Sequence, residues 1–97
     1  MIAEFSVTPI GAGVSVREPI TKAVQIVHDS GLRYELNPMG TVVEGTWDDV
    51  MAVIKRCNDE LLRECERLSI LIKIDSRRGP APPMEEKVRS VAANLRP

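Results

Sequence analysis

The most constraining stretch of this sequence is a pair of short runs that favour β-strands on either side of a turn. The runs are Arg33–Asn37 and Gly40–Glu44, and Pro38-Met39 separates them. Proline has no backbone donor and a fixed φ, so it suits a turn better than a strand centre. Gly40 tolerates a positive φ, which lets the backbone reverse. The stretch therefore predicts a β-hairpin, with helices before and after it.

Two further segments alternate in the manner of strands that bury one face. In residues 2–10 the apolar positions are Ala3, Phe5 and Val7, with Glu4, Ser6 and Thr8 between them. The segment Leu68–Asp75 has the same period of two, with isoleucine or leucine at every second position. A period of two is the signature of a half-buried strand.

Three segments have helical periodicity. The first follows a capping box that begins at Ser15, and Gly31 is placed to terminate it. The second has Thr46 as its N-cap and carries a continuous apolar stripe. Its members are Trp47, Val50, Met51, Ile54, Cys57, Leu61 and Cys65. Residues 84–95 predict a short amphipathic C-terminal helix after a Pro/Gly-rich connector.

The predicted order is β-α-β-β-α-β plus a terminal helix, which indicates an α+β, ferredoxin-like sandwich in one domain over residues 1–97. The two main helices must cover one face of a four-stranded antiparallel sheet. The other face would expose Leu71 and either Val42 or Val43 to water. An uncovered sheet face with apolar members favours a partner sheet, so we expect a homodimer or homotetramer.

Composition excludes several classes of function. A net charge of −1 and three aromatic residues argue against nucleic-acid binding. No apolar run is long enough to span a membrane, so we expect a cytoplasmic protein with Cys57 and Cys65 as core thiols. We find no His/Cys pairing, no cluster of metal ligands and no nucleophile with an evident base. We therefore predict no catalytic residue, no metal site and no enzymatic activity.

Four segments carry a family resemblance: residues 30–34, 37–45, 72–78 and 87–91. Pro38-Met39-Gly40-Thr41 followed by Glu44-Gly45, together with Ile72-Lys73-Ile74-Asp75, resembles the thiamine-binding protein family, long classed as a conserved family of unknown function. The resemblance implies a ferredoxin-like fold, assembly into dimers and tetramers through the sheets, and binding of thiamine or its hydroxymethylpyrimidine moiety. It implies no other cofactor.

A thiamine site needs a carboxylate, a few hydroxyl or backbone partners and an apolar wall, because thiamine is a cation with an aminopyrimidine ring. The candidate ligand-binding residues are Ser6, Thr8, Tyr34, Met39, Gly40, Thr41 and Glu44. In this hypothesis Glu44 accepts a hydrogen bond from the ring amino group or offsets the thiazolium charge. The alternative is an ion pair between Glu44 and Lys73 across the open sheet face.

Structural roles explain several of these residues as well. Tyr34 either forms a wall of a pocket or packs on the first helix, and turn geometry alone accounts for Met39 and Gly40. Trp47 is expected in the core, and His28 is expected to be hydrogen-bonded or to face solvent. The alternative to a thiamine-binding protein is a regulatory or structural oligomeric module with a different ligand or none.

Overall fold

The computed structural model describes residues 1–11 and 17–97. Its elements are β1 (Ile2–Pro9), α1 (Arg17–Asp29), β2 (Arg33–Asn37), β3 (Gly40–Glu44), α2 (Trp47–Leu61), β4 (Leu68–Asp75) and α3 (Met84–Ala92). This order confirms the predicted ferredoxin-like α+β arrangement. The predicted N-cap Ser15 lies outside the described residues. None of the helices in the described ranges is long and apolar enough to cross a membrane.

The four strands form one antiparallel sheet in the order β2-β3-β1-β4. Residues that lie opposite each other in an antiparallel pair point to the same face. The register Ala3–Val43 and Ala3–Ile74 therefore defines a helix-covered face. The register Glu4–Val42 and Glu4–Lys73 defines the opposite face, which we call the open face.

The core lies between the helix-covered face and both main helices. Phe5 and Val43 from the sheet pack with Val27 of α1 and with Val50 and Leu61 of α2. The prediction that α1 and α2 cover the same face is therefore confirmed. Val43 is fully buried in this core, so Val42 is the valine of this strand that lies on the open face.

The predicted N-cap of α2 and the predicted glycine after α1 are both confirmed. The Thr46 hydroxyl accepts a hydrogen bond from the Asp49 backbone N–H at 3.1 Å, as expected of an N-cap. Gly31 has a φ of +78°, a left-handed conformation that glycine adopts freely after a helix.

Two expectations for α2 were wrong. Trp47 is 53% exposed and not in the core. It is the first residue of α2, and helical side chains lean toward the N-terminus, so its ring projects beyond the helix. The helix also ends at Leu61, because the next residues form a tighter turn in which Glu64 N–H bonds to Leu61 O. Cys65 therefore lies beyond α2 and is only half-buried.

Gly40 is required for a different reason from the predicted one. The φ of Gly40 is not positive, so the reversal of the backbone at the hairpin does not depend on a glycine at this position. A Cβ added at this position would lie 3.1 Å from the Phe5 carbonyl oxygen, which is tighter than an ordinary contact. Gly40 is needed because β3 approaches the β1 backbone closely at this point.

The two cysteines should differ in reactivity toward a thiol reagent such as Ellman's reagent. Cys57 is fully buried, and desolvation raises the pKa of its thiol to about 11. Because the thiolate is the reactive form, we expect the native protein to be labelled at Cys65 alone, and both residues to react after unfolding in urea. A Cys65→Ser variant should leave the native protein unlabelled. Equal labelling rates for both thiols in the native protein would contradict this prediction.

Candidate functional site

The sheet register divides the predicted ligand-binding residues between two faces. Ser6, Thr8 and Glu44 point to the open face, whereas Tyr34 and Thr41 belong to the helix-covered face. A site that uses residues from both faces must lie at an edge or an end of the sheet. The structure has such a place beside the tip of the hairpin.

A cleft of about 270 Å³ opens where β3 stops and β1 continues. We call it the hairpin cleft. Strand β3 pairs with β1 only as far as Thr41–Phe5, whereas β4 stays paired with β1 as far as Leu68–Pro9. Helix α1 and the hairpin turn form the other walls. The cleft brings together five of the seven predicted residues: Ser6, Thr8, Met39, Gly40 and Thr41.

The walls of the hairpin cleft combine hydroxyl groups with apolar side chains. The polar lining residues are Ser6, Thr8 and Thr41, which carry hydroxyls, and Asn37, which carries an amide. Larger apolar groups complete the lining from β1, α1 and β2: Phe5, Ile20, Val24 and Leu36. None of the described residues that line the cleft has a charged side chain. The cleft therefore suits a small, uncharged polar group.

The backbone of β1 adds further polar groups beside the cleft. Beyond Phe5 the edge of β1 that faces the hairpin is not bonded to β3. An unpaired strand edge presents alternating N–H and C=O groups. These groups and the nearby hydroxyls can satisfy both donors and acceptors of one ligand.

Tyr34 lies outside the hairpin cleft, in a shallow depression next to it. Its hydroxyl is 2.8 Å from Nδ1 of His28 on α1, and the two rings meet edge to face at a centroid distance of 5.8 Å. Tyr34 thus packs against the first helix, as one of the two interpretations expected. His28 is exposed and hydrogen-bonded.

Glu44 lies at the opposite end of the sheet from the hairpin cleft. One carboxylate oxygen is 3.7 Å from an Arg33 guanidinium nitrogen, and the other accepts a hydrogen bond from the Met84 N–H at 3.2 Å. The ion-pair partner of Glu44 is thus Arg33 and not Lys73, which was the partner expected in the alternative interpretation. The N-cap residue of α3 is Pro83, which has no side-chain acceptor, so Glu44 serves the start of this helix. The sequence signal for this role of Glu44 was Pro83, because a helix that begins at a proline has no capping side chain of its own.

A second cavity, of about 230 Å³, lies at the Glu44 end of the sheet. Asp75, Arg77 and Lys87 line it together with Glu44. A hydrogen bond from Lys87 lowers the pKa of the Asp75 carboxyl group. Because most of these charges already have partners, the cavity is a weaker candidate than the hairpin cleft. No group of potential metal ligands occurs in the described ranges, 1–11 and 17–97.

The apolar half of the hairpin cleft was not predicted from the sequence. Phe5, Ile20 and Val24 were expected to be ordinary core residues, and Leu36 had no predicted role. In the structure Leu36 is 59% exposed and Ile20 is 38% exposed, because both border the cleft. Periodicity identifies residues that face inward, but it gives no signal that one edge of the covered face is left open.

Comparisons with known proteins match nearly the whole chain. The family model described as "Thiamine-binding protein" matches residues 3–92. A UPF0045 protein from Mycobacterium bovis is 42% identical over 96 residues, which is 98% of this chain and 94% of that protein.

Solved structures of similar proteins have the same fold. A hypothetical protein from Methanocaldococcus jannaschii superposes with a TM-score of 0.87 at 32% identity, over 94% of each chain. A Thermotoga maritima protein, named for a proposed role in thiamine biosynthesis or salvage, gives a TM-score of 0.83 at 27% identity. That match covers 93% of this chain and 96% of the other.

Proposed function

Because this chain belongs to the thiamine-binding protein family, we propose that it binds thiamine in the hairpin cleft through the pyrimidine ring. Binding is non-enzymatic in this proposal. The observation that carries it is the uncharged cleft beside the hairpin, where hydroxyl-bearing residues and the part of β1 that does not pair with β3 lie against an apolar wall.

The size of the hairpin cleft supports a small ligand fragment. Its volume of about 270 Å³ is slightly below the roughly 300–1,000 Å³ that is usual for drug-sized ligands. A single substituted pyrimidine suits this space better than a whole two-ring molecule. The same fragment is the free hydroxymethylpyrimidine, so both compounds are ligands in this proposal.

The polarity of the hairpin cleft supports the pyrimidine over the thiazolium. An aminopyrimidine carries an amino donor and ring-nitrogen acceptors, which the hydroxyls of Ser6, Thr8 and Thr41 can pair with. A quaternary thiazolium offers no comparable hydrogen bonds and needs a counter-charge or an aromatic face. The carboxylate first considered for that task, Glu44, lies at the other end of the sheet and instead contacts α3 and Arg33.

Calorimetric titration of the purified protein with thiamine, and separately with hydroxymethylpyrimidine, tests the proposal. We expect saturable binding of both compounds. The Ser6→Ala variant should weaken binding about twofold to tenfold, because a typical hydrogen bond contributes about 0.5–1.5 kcal/mol.

The control variant for this titration is Ser69→Ala. Ser69 lies on the same open face one strand away, opposite Thr8 in the register, and does not line the cleft. Its replacement should leave both affinities unchanged. Heats that never saturate for either compound would refute the proposed ligand, and equal losses in the two variants would refute the proposed position of the site.

We also propose that copies of the chain associate through their open faces. Leu71 is 75% exposed on this face, and the half-buried Val42 lies on it as well. Covering apolar side chains of this kind with a second sheet is favourable.

The Leu71→Lys variant should therefore shift the protein toward smaller species at micromolar concentration, as measured by sedimentation velocity. Leu62→Lys is the control, because Leu62 is 43% exposed at the end of α2, away from the open face. An unchanged distribution for Leu71→Lys would argue against association through this face.

A further inference from the structure

We propose that a second subsite, lined by Tyr34, receives the positively charged ring of the ligand and makes the protein prefer thiamine to its pyrimidine fragment. This inference rests on the proposed function. The subsite is the depression of about 370 Å³ beside the hairpin cleft, which we call the Tyr34 groove. Its lining includes Thr21, Gln25 and His28 of α1 besides Tyr34 of β2.

The hairpin cleft and the Tyr34 groove are adjacent. Ile20, Val24 and Leu36 line both of them. A two-ring ligand with one ring in the cleft therefore has the groove beside it for the second ring.

The groove lies between one face of α1 and one face of β2. On α1, Ile20, Val24 and His28 are four residues apart and lie on one helical face. They extend the wall by about 12 Å, at 1.5 Å per residue. On β2, Leu36 and Tyr34 are two residues apart and therefore lie on the same face of the strand.

The charge of the groove tolerates a cation. Within the described chain, no lysine or arginine lines either the cleft or the groove. The face of a tyrosine ring attracts a positively charged group electrostatically. The hydrogen bond at 2.8 Å between the Tyr34 hydroxyl and His28 restrains this ring, so less freedom is lost when a ligand packs on it.

The apolar part of the groove is already exposed to water. Leu36 is 59% exposed, and Ile20 is 38% exposed. A methyl-substituted thiazolium ring would cover the parts of both side chains that face the groove, whereas the free hydroxymethylpyrimidine would cover only the parts that face the cleft. The groove thus suits the charged ring of a ligand whose uncharged ring lies in the cleft.

The test compares thiamine, hydroxymethylpyrimidine and deazathiamine, an uncharged analogue with carbon in place of the thiazolium nitrogen. Calorimetry is performed on the wild type, Tyr34→Phe and Tyr34→Leu. In the wild type we expect thiamine to bind at least about twofold more tightly than either other compound, since a cation–π contact contributes about 0.5–2 kcal/mol.

The two variants separate the aromatic ring from the hydroxyl group. Tyr34→Phe keeps the ring and should retain most of the preference for thiamine over deazathiamine. Tyr34→Leu should abolish that preference and leave the affinity for hydroxymethylpyrimidine unchanged. Circular dichroism verifies that both variants are folded.

The possible failures are distinguishable. Wild-type protein that binds hydroxymethylpyrimidine as tightly as thiamine would overturn the Tyr34 groove and leave the proposed function standing. A preference for thiamine that survives in Tyr34→Leu would likewise overturn the role of the ring. Binding of none of the three compounds would overturn the proposed function and the groove with it.

Discussion

Replacement of Leu61 by alanine is expected to lower the free energy of unfolding by about 2–5 kcal/mol. Leu61 is 2% exposed, is among the largest fully buried side chains, and belongs to the cluster that joins α2 to the sheet. Its truncation removes buried methyl groups and leaves a cavity that the neighbouring side chains fill only in part. A domain of this size has a total stability of about 5–15 kcal/mol, so the change is a large fraction of it.

The next residue in the sequence is the matched control. Leu62 has the same side chain, but it is 43% exposed, as the C-cap of α2. Leu62→Ala should change the stability by no more than about 0.5 kcal/mol. Urea denaturation of both variants, monitored by circular dichroism, measures the difference. Similar midpoints for the two variants would show that Leu61 does not hold α2 onto the sheet.

The largest expected effect on binding comes from filling the site. Ile20 lines both the hairpin cleft and the Tyr34 groove and is 38% exposed, so a tryptophan at this position can extend into the open space with little effect on the core. We expect Ile20→Trp to weaken thiamine binding by at least about tenfold, which corresponds to about 1.4 kcal/mol. Hydroxymethylpyrimidine should lose affinity as well, because the cleft itself is narrowed.

The control for this substitution is Val88→Trp on α3. Val88 is also a β-branched residue on an exposed helical surface, 64% exposed, and it lines neither the cleft nor the groove. The Val88→Trp variant should bind both compounds with wild-type affinity in the same calorimetric assay. Wild-type affinity in a correctly folded Ile20→Trp variant would place the ligand elsewhere on the protein.

Glu44 and Thr41 were predicted to belong to one site, but they lie far apart on the sheet. Both residues belong to β3 and were assigned to one site because they are close in sequence. The register places Thr41 opposite Phe5 and Glu44 opposite Ile2, at opposite ends of the same ladder. Alternation also points them to different faces. The sequence carries the period of a strand, but it does not state which end of the strand borders a cavity.

The sequence by itself determined the order of the elements, the hairpin turn at Pro38 and the inward positions of β1 and β4. These features depend on interactions between residues that are close along the chain, so local periodicity and turn chemistry are sufficient to read them. The fold class follows from that order, because few arrangements cover one face of such a sheet with two helices.

Only the tertiary structure decided which polar residues meet. The hairpin cleft exists because β3 does not extend beyond Gly40 at the hairpin end of the sheet, whereas β1 continues beside β4. The contact between Glu44 and α3 joins residues that are far apart in the sequence. Tyr34 meets His28 because β2 lies along α1. Such contacts depend on strand register and on packing between distant segments. Many sequences with the same periodicity would bring different residues into contact.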